Sequence, residues 1–163
     1  MSSLKIWRKH PKPTMKSDPA RPPPPTSPVT LAVVGCGQRG KAYSRYALSS
    51  PEYCKVVAIA EPRPKTQALF AAAHAVDTTL VFDSWQALLA ASAETISTIG
   101  KRLADAVLIA VQDHLHLEVA LAFAQQGYHI LCEKPMATSV EDCIRMEAAI
   151  RKAGTIFGMG HGE

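Results

Sequence analysis

From Val29 onward, short apolar runs alternate along the chain with longer stretches in which apolar and polar residues follow a helical period. Short runs that are apolar on both faces are typical of strands in a buried parallel sheet, and the longer stretches are typical of the helices that connect such strands. The pattern predicts six strands, at residues 30–35, 55–60, 79–82, 105–111, 128–133 and 155–159. It predicts five helices between them, at residues 38–49, 63–75, 84–91, 115–126 and 139–153.

Capping residues mark the ends of several predicted helices. Ser84 stands where the third helix begins, and Ser139 with Asp142 forms a start similar to a capping box. Gly154 follows the fifth helix, where a left-handed residue commonly ends a helix. Residues 92–102 fit either an extension of the third helix or a surface insertion, and the pattern does not choose between the two.

Strands that alternate with crossover helices predict an α/β fold, a doubly wound parallel sheet of the Rossmann type with about six strands in the order 3-2-1-4-5-6. In such a sheet the ligand crevice lies beyond the carboxyl ends of the strands. We therefore expect the functional residues in the segments after strands one, four and five, at residues 35–40, 111–116 and 133–136.

The first 28 residues differ in composition from the rest of the chain. They hold eight of the 12 prolines and few apolar residues, so we expect a disordered tail at residues 1–28 and one domain at residues 29–161. Six Lys and Arg against one Asp give the tail a charge of +5, which leaves −1 for the rest of a chain whose formal charge is +4. A solvated leader, a polyproline II ligand and a mitochondrial presequence stay open as interpretations of this tail.

Charge, hydropathy and cysteine spacing exclude several classes of function for the domain. Its near-neutral charge does not indicate nucleic-acid binding. No uninterrupted apolar stretch approaches the ~20 residues of a membrane helix, so we expect no membrane span. The four cysteines are widely spaced and form no C-x-x-C pair and no Cys/His cluster. This spacing predicts reduced thiols, a cytoplasmic protein and no metal site.

The first predicted strand opens directly into a G-x-G-x-x-G motif, which is typical of a dinucleotide site. Gly35 permits a tight turn, Gly37 lets the backbone approach a pyrophosphate, and Gly40 lets the following helix pack closely on the strand. Free N–H groups at the start of that helix then bind the phosphates. The residues of this segment that we expect to contact the dinucleotide are Gly35, Gly37, Gln38, Arg39 and Gly40.

An acid follows the second predicted strand, 21 positions after Gly40. The spacing predicts that Glu61 binds the adenosine ribose hydroxyls, and the alternative is a surface Glu that only ends the strand. Glu61 repels the 2′-phosphate of NADP, whereas Arg63 attracts it, so both residues are candidate cofactor contacts. The sequence favours NAD, with NADP as the alternative.

The fifth predicted strand ends in Glu133-Lys134-Pro135, at the mouth of the crevice. Beside a nicotinamide ring and under partial burial, the Lys134 ammonium is suited to orient a substrate hydroxyl and to share its proton during hydride transfer. Lys134 is therefore the candidate catalytic residue, and Glu133 and Lys134 are candidate cofactor contacts. The alternative is a local Glu133–Lys134 ion pair that closes the sheet.

The chain resembles the Gfo/Idh/MocA oxidoreductases from Val29 to about residue 161. The resemblance rests on four features: the G-C-G-Q-R-G segment, Glu61, the Gln112-Asp113-His114-Leu115-His116 loop and Glu133-Lys134-Pro135. The resemblance implies that Lys134 contacts substrate and nicotinamide and that His116 begins the helix after strand four. This chain has Val111-Gln112-Asp113 where members of the family often have Thr-Pro-Asn, at the expected contact with the nicotinamide ribose. His114 and His116 form an H-x-H pair, for which loop and capping roles are favoured over metal binding.

The resemblance also implies an activity and a second domain that this activity needs. It implies hydride transfer between a nicotinamide cofactor and a sugar, polyol or related hydroxyl compound, with a second domain that binds substrate and forms oligomers. We expect that the chain, as a truncated product, a splice or gene-model fragment or a bounded domain, is not catalytically complete alone. Its predicted partners are then the dinucleotide and, only with that second domain, a small-molecule substrate. A non-catalytic dinucleotide-binding regulator and an NAD-dependent glycosidase domain stay open, and His161 is expected in the crevice or the linker.

Overall fold

A computed structural model describes residues 22–160 of the chain. Its strands are β1 (Val29–Val34), β2 (Cys54–Ala60), β3 (Val81–Phe82), β4 (Ala106–Ile109), β5 (His129–Glu133) and β6 (Phe157–Gly160). Its α-helices are α1 (Gln38–Ser49), α2 (Pro64–His74), α3 (Trp85–Ile99), α4 (His116–Gln125) and α5 (Val140–Ala153). Most of the predicted tail and His161 lie outside the described residues, and residues 22–28 contain neither helix nor strand.

The strands form one parallel sheet in the order β3-β2-β1-β4-β5-β6, which confirms the predicted Rossmann fold and its strand order. At the carboxyl edge Val34 of β1 lies opposite Ala60 of β2 and Ile109 of β4. The loops that follow these three strands therefore leave the sheet at the same level. This register places the glycine loop between the segments after β2 and β4.

Side chains of the buried strands alternate between two apolar clusters, one on each face of the sheet. From β1, Ala32 and Val34 pack in the cluster that contains residues of α3, α4 and α5, whereas Val33 packs in the cluster that contains residues of α1 and α2. All three side chains are at most 1% exposed. Burying a side chain of the size of Val contributes roughly 1.5–3 kcal/mol. The central strand thus anchors both helix layers to the carboxyl-edge loops.

The third strand is shorter than predicted. Its two residues, Val81 and Phe82, follow a 3₁₀ helix at Thr78–Leu80 that occupies the first part of the predicted segment. The Asp77 carboxylate accepts a hydrogen bond from the Thr79 N–H at 2.9 Å, which stabilises the turn instead of an extended backbone. The prediction of a strand from residue 79 was therefore wrong by two residues.

The third helix is longer than its predicted end and includes most of the stretch that the sequence left open. It continues to Ile99, and Gly100 ends it with φ +68° and an N–H bond to the Ile96 carbonyl. Ser92 is fully buried, and its hydroxyl lies 2.7 Å from that of Tyr128, also fully buried. This contact packs the extension against the sheet. In the part of the chain that the structure describes, no helix is long and apolar enough to cross a membrane.

Candidate functional site

Two of the three motif glycines are required by the packing of the loop itself. Gly35 has φ +93°, and a Cβ there would lie 2.7 Å from the carbonyl carbon of Ala110. A Cβ on Gly40 would overlap the carbonyl group of Gly35. Both clashes are with backbone, which has little freedom to move. Gly35 and Gly40 therefore let the loop turn and let α1 pack on it, as the motif predicts.

Gly37 has a different environment. Its φ is −70°, and the nearest atom to an added Cβ would be Nη2 of Arg63 at 3.5 Å, an ordinary van der Waals distance. The fold of the loop therefore has room for a Cβ at this position. A glycine here leaves the backbone open to a close-approaching group, which is what a pyrophosphate needs.

The N-terminus of α1 carries no side-chain cap, in contrast to two other helices. Ser84 and Ser139 each accept a backbone hydrogen bond, from Ala87 N–H at the start of α3 and from Asp142 N–H at the start of α5. At α1 the capping residue is Gly37, which has no side chain to do so. The first-turn N–H groups, with the positive end of the helix dipole, are thus left for an anion. This end of α1 fits a dinucleotide phosphate.

Glu61 lies directly after β2, with its side chain only 1% exposed. Its Oε2 accepts hydrogen bonds from the Cys36 N–H and from Nη2 of Arg63, both at 2.9 Å. Its Oε1 accepts from the backbone N–H and Nε of Arg63, at 3.0 and 2.7 Å. Burial by itself raises the pKa of Glu61, but these hydrogen bonds outweigh burial and hold the pKa below its usual value. An ionised Glu61 therefore ties the glycine loop to the end of β2.

Glu133, at the end of β5, is held by residues of α1. Its Oε1 lies 2.8 Å from Nε of Arg39 and accepts a hydrogen bond from the Tyr43 hydroxyl at 3.3 Å, while its Oε2 accepts the backbone N–H of Lys134 at 2.5 Å. The ion-pair partner of Glu133 is thus Arg39, and the alternative of a local Glu133–Lys134 ion pair is wrong. The Lys134 side chain is exposed at the carboxyl end of the strand.

His116 is fully buried where the loop after β4 meets the turn after β5. Its Nδ1 lies 2.7 Å from the carbonyl oxygen of Pro135, and its Nε2 lies 3.2 Å from that of Val111. His116 is the first residue of α4, where the resemblance places it. The histidine therefore joins the two loops, while its contact with a cofactor stays a prediction.

Other predicted residues of the loop after β4 are more accessible than His116. Gln112 and His114 are exposed and Val111 is half-buried. Since His116 is buried beneath the loop, the two histidines of the H-x-H pair have different environments. Among residues 22–160, no group of three or more His, Cys, Asp or Glu side chains is placed to hold a metal ion.

The sheet brings the predicted glycine loop, acid and lysine segments to one edge, but the contacts between them were not all predictable. The pattern does not single out Tyr43, whose hydroxyl reaches Glu133 from α1. A Cβ on Gly160 would lie 2.7 Å from Cζ of Tyr43, so the last strand is also shaped around this ring. The four-residue spacing of Arg39 and Tyr43 on one helix face is the signal that identifies them as a pair.

A family model described as an oxidoreductase family with an NAD-binding Rossmann fold matches residues 29–161. Inositol 2-dehydrogenase 1 of Saccharopolyspora erythraea is 32% identical over 120 residues, 74% of this chain and 32% of that protein. 2,7-Anhydro-N-acetylneuraminate hydratase of Escherichia coli is 40% identical over 63 residues, 39% of this chain and 17% of that protein.

A solved structure shows the same fold. The WlbA dehydrogenase of Bordetella pertussis, determined in complex with NADH and UDP-GlcNAcA, is similar to this chain with a TM-score of 0.70 and 29% identity. The similarity covers 85% of this chain and 36% of that one. The chain thus spans about a third or less of the length of the relatives it matches.

Proposed function

Since the chain belongs to the Gfo/Idh/MocA oxidoreductase family, as its NAD-binding Rossmann domain, we propose that the carboxyl edge of the sheet binds the dinucleotide of a sugar or polyol dehydrogenase or reductase. The single observation that carries the proposal is the uncapped N-terminus of α1 beside the open backbone of Gly37. Both features favour a phosphate group at this place. The contacts of Gln38 and Arg39 with it are part of the proposal.

Lys134 is the proposed catalytic residue. The bound nicotinamide supplies the atom that accepts or donates the hydride. The exposed Lys134 ammonium, held at the end of β5 through its own N–H bond to Glu133, donates a hydrogen bond to the substrate oxygen and shares its proton with it. Val111 and Gln112 contact the nicotinamide half in this arrangement.

The substrate class is proposed from the relatives. Inositol 2-dehydrogenase 1 supports a polyol hydroxyl, and the WlbA dehydrogenase, whose structure contains a nucleotide sugar, supports a sugar. We propose that the substrate contacts other than Lys134 come from a second domain, in the two thirds of the relatives' length that this chain does not span. Free thiols at all four cysteines support a reducing compartment, for which we propose the cytoplasm.

The choice between NAD and NADP depends on two neighbouring side chains. A Glu61 carboxylate favours NAD, the cofactor we propose, and an Arg63 guanidinium favours the 2′-phosphate of NADP. The two groups are hydrogen-bonded to each other in this structure. The relative affinity for NAD and NADP therefore depends on the strength of the Glu61–Arg63 ion pair.

Isothermal titration of the 163-residue chain with NAD and NADP tests the proposed site. We expect saturable binding of at least one of the two dinucleotides. Lys134→Met should weaken that affinity less than a change at Gly37, because the ammonium is proposed to contact the nicotinamide and the substrate oxygen and not the phosphates. A chain that is folded by circular dichroism and gives no heat at millimolar dinucleotide contradicts the proposal.

A further inference from the structure

Glu133 is a buried carboxylate whose hydrogen bonds connect α1 to the backbone of Lys134. Its side chain is only 6% exposed, so its charge needs partners within the protein. Its Oε1 is bound by Arg39 and Tyr43 of α1, and its Oε2 accepts the backbone N–H of Lys134. The peptide from which the Lys134 side chain leaves β5 is therefore held by the same carboxylate that α1 holds.

The two partners of Glu133 on α1 have different surroundings. The Arg39 side chain is 47% exposed and belongs to the first turn, where the phosphates are proposed to bind. Tyr43 lies one turn further along the helix and is partly buried, with its ring against the end of β6. The Tyr43 hydroxyl is therefore the partner of Glu133 for which a bound phosphate does not compete.

Gly160 shows how closely the Tyr43 ring is enclosed. A Cβ on Gly160 would overlap the Tyr43 hydroxyl and would lie 2.7 Å from Cζ of the ring. Gly160 lies opposite Glu133 in the register of β5 and β6. Its φ is outside the left-handed region, so its backbone does not itself require glycine. The missing side chain makes the space in which the Tyr43 hydroxyl reaches Glu133.

The hydrogen bond between Tyr43 and Glu133 has one direction. Since an ionised carboxylate only accepts hydrogen bonds, the Tyr43 hydroxyl is the donor. Burial and the Glu133 carboxylate both raise the pKa of Tyr43 above its usual value, so the phenol keeps its proton at neutral pH. The hydroxyl therefore stays available to hold the carboxylate under the conditions in which a dinucleotide binds.

We propose that Tyr43 is a positioning residue for the nicotinamide side of the site. Its hydroxyl fixes the Glu133 carboxylate, the carboxylate fixes the Lys134 peptide, and the Lys134 ammonium is thereby kept beside the nicotinamide ring. Helix α1 then serves both ends of the dinucleotide: its first turn binds the phosphates, and Tyr43 orients the Lys134 segment. This inference rests on the proposed dinucleotide site and on Lys134 as its nicotinamide contact.

The charge of the nicotinamide ring gives a measure of where the Lys134 ammonium lies. The ring is positive in NAD and neutral in NADH, whereas the phosphates and the adenosine are the same in both. An ammonium beside the ring repels NAD and not NADH, so it raises the ratio of the NAD to the NADH dissociation constant. A loss of stability or of phosphate contacts changes both constants together and leaves the ratio unchanged. NADP and NADPH give the same comparison.

Titration of the 163-residue chain and its variants with NAD and NADH tests the inference. Lys134→Met should lower the ratio by about tenfold, because the repelling charge is removed. Tyr43→Phe keeps the ring and the ammonium and should lower the ratio by about fivefold, because the Lys134 peptide is no longer fixed. Tyr128→Phe is the matched control: it removes a buried hydroxyl that contacts Ser92 just before β5, and should change the ratio by less than about twofold.

Gly160→Ala tests the same contact from β6. The added Cβ overlaps the Tyr43 hydroxyl, so the ring has to move and the ratio should fall as it does in Tyr43→Phe. Gly158→Ala, on the same strand, is its control, because the nearest atom to its Cβ is Cδ1 of the Leu131 side chain at 3.4 Å. It should change the ratio by less than about twofold. This pair decides the question if Tyr43→Phe does not fold.

Three outcomes contradict the inference in different ways. A ratio that stays unchanged in Tyr43→Phe, including an equal loss of NAD and NADH, would leave Tyr43 a purely structural role. A ratio that stays unchanged in Lys134→Met would place the ammonium away from the nicotinamide, and the phosphate site would still stand. A wild-type chain that binds none of these dinucleotides contradicts the proposed function itself, so its failure is distinguishable from failure of the inference.

Discussion

Gly37 is the residue at which the phosphate contact can be tested apart from the fold. Gly37→Val places a branched side chain where the pyrophosphate is proposed to lie, so we expect dinucleotide affinity to fall by at least about tenfold. The melting temperature of the unliganded protein should stay close to wild type, because the position has a negative φ and the nearest neighbour is at 3.5 Å. Isothermal titration and thermal unfolding measure the two effects.

Gly35→Ala is the control for this prediction. Its Cβ would meet the Ala110 carbonyl at a φ of +93°, so the variant should lose stability, by about 2–4 kcal/mol. If Gly37→Val binds the dinucleotide as tightly as wild type, the phosphate contact at this loop is wrong.

His74 predicts a pH dependence of stability that is separate from the site. Burial lowers the pKa of this histidine from 6.5 to about 4, and its ring stacks on Phe70 with centroids 4.6 Å apart. Between these pKa values the unfolded chain binds a proton that the folded chain does not. The free energy of unfolding should therefore fall as the pH is lowered from about 6.5 towards 4, by about 1.4 kcal/mol per pH unit.

Urea unfolding of the wild type at several pH values in this window, compared with His74→Leu, measures the effect. The variant should show a flatter profile, since it has no titrating ring at this position. The carboxylates whose pKa is lowered by hydrogen bonds, Glu61, Asp77 and Asp105, begin to lose their contribution only below their ordinary pKa values of 4.5, 3.8 and 3.8, at the acid end of this window and beyond it. A wild-type slope that persists in His74→Leu would assign the pH dependence to other groups.

At the residue scale, the sequence predicted which residues gather at the carboxyl edge and not what they bond to. Gly35, Glu61 and Lys134 were found from spacing, because a parallel sheet always aligns the carboxyl ends of its strands. That Arg63 covers Glu61 depends on side-chain rotamers, which no periodicity encodes. The same holds for the contact of Arg39 with Glu133.

At the scale of elements, His116 is the contact that joins α4 to the turn after β5. His116→Leu removes a ring whose two nitrogens lie within hydrogen-bond distance of the carbonyl oxygens of Val111 and Pro135, and a neutral ring donates to one of them. Because the ring is fully buried, we expect a loss of about 2–4 kcal/mol of stability. Urea unfolding measures this loss, and His114→Leu, in the exposed half of the H-x-H pair, should change stability by less than about 0.5 kcal/mol.

A His116→Leu variant as stable as wild type would show that solvent or a shifted loop replaces the hydrogen bond that the ring donates. The packing of α4 then would not depend on the histidine, and the predicted cofactor contact would be the remaining role for His116.

Elements with strong periodicity were predicted well, and elements that depend on local turns were not. The strand order and the start of α5 at Ser139 followed from pattern and capping chemistry. The short β3 follows from the Asp77 turn, and the length of α3 depends on the buried contact between Ser92 and Tyr128. The first is a side-chain hydrogen bond between residues two positions apart and the second is a contact between residues 36 positions apart, and hydrophobic periodicity reports neither.

At the scale of the whole molecule, the two helix layers share one sheet, so they should unfold together. Alternate residues of β1 belong to the two apolar clusters, one on each face of the sheet. Neither cluster keeps its packing if β1 detaches from the sheet. Differential scanning calorimetry of the unliganded chain should therefore show a single cooperative transition.

Ligand binding to this single unit makes the proposed site measurable in the stability of the whole molecule. At a free NAD concentration of one hundred times the dissociation constant, the free energy of unfolding should rise by about 2.7 kcal/mol, because a ligand that binds only the folded chain stabilises it by mass action. For a domain of this size the melting temperature should rise by roughly 10 °C. The same NAD concentration should raise the melting temperature of Gly37→Val much less, relative to the melting temperature of that variant without NAD. An equal rise in both proteins would place the bound NAD away from the glycine loop.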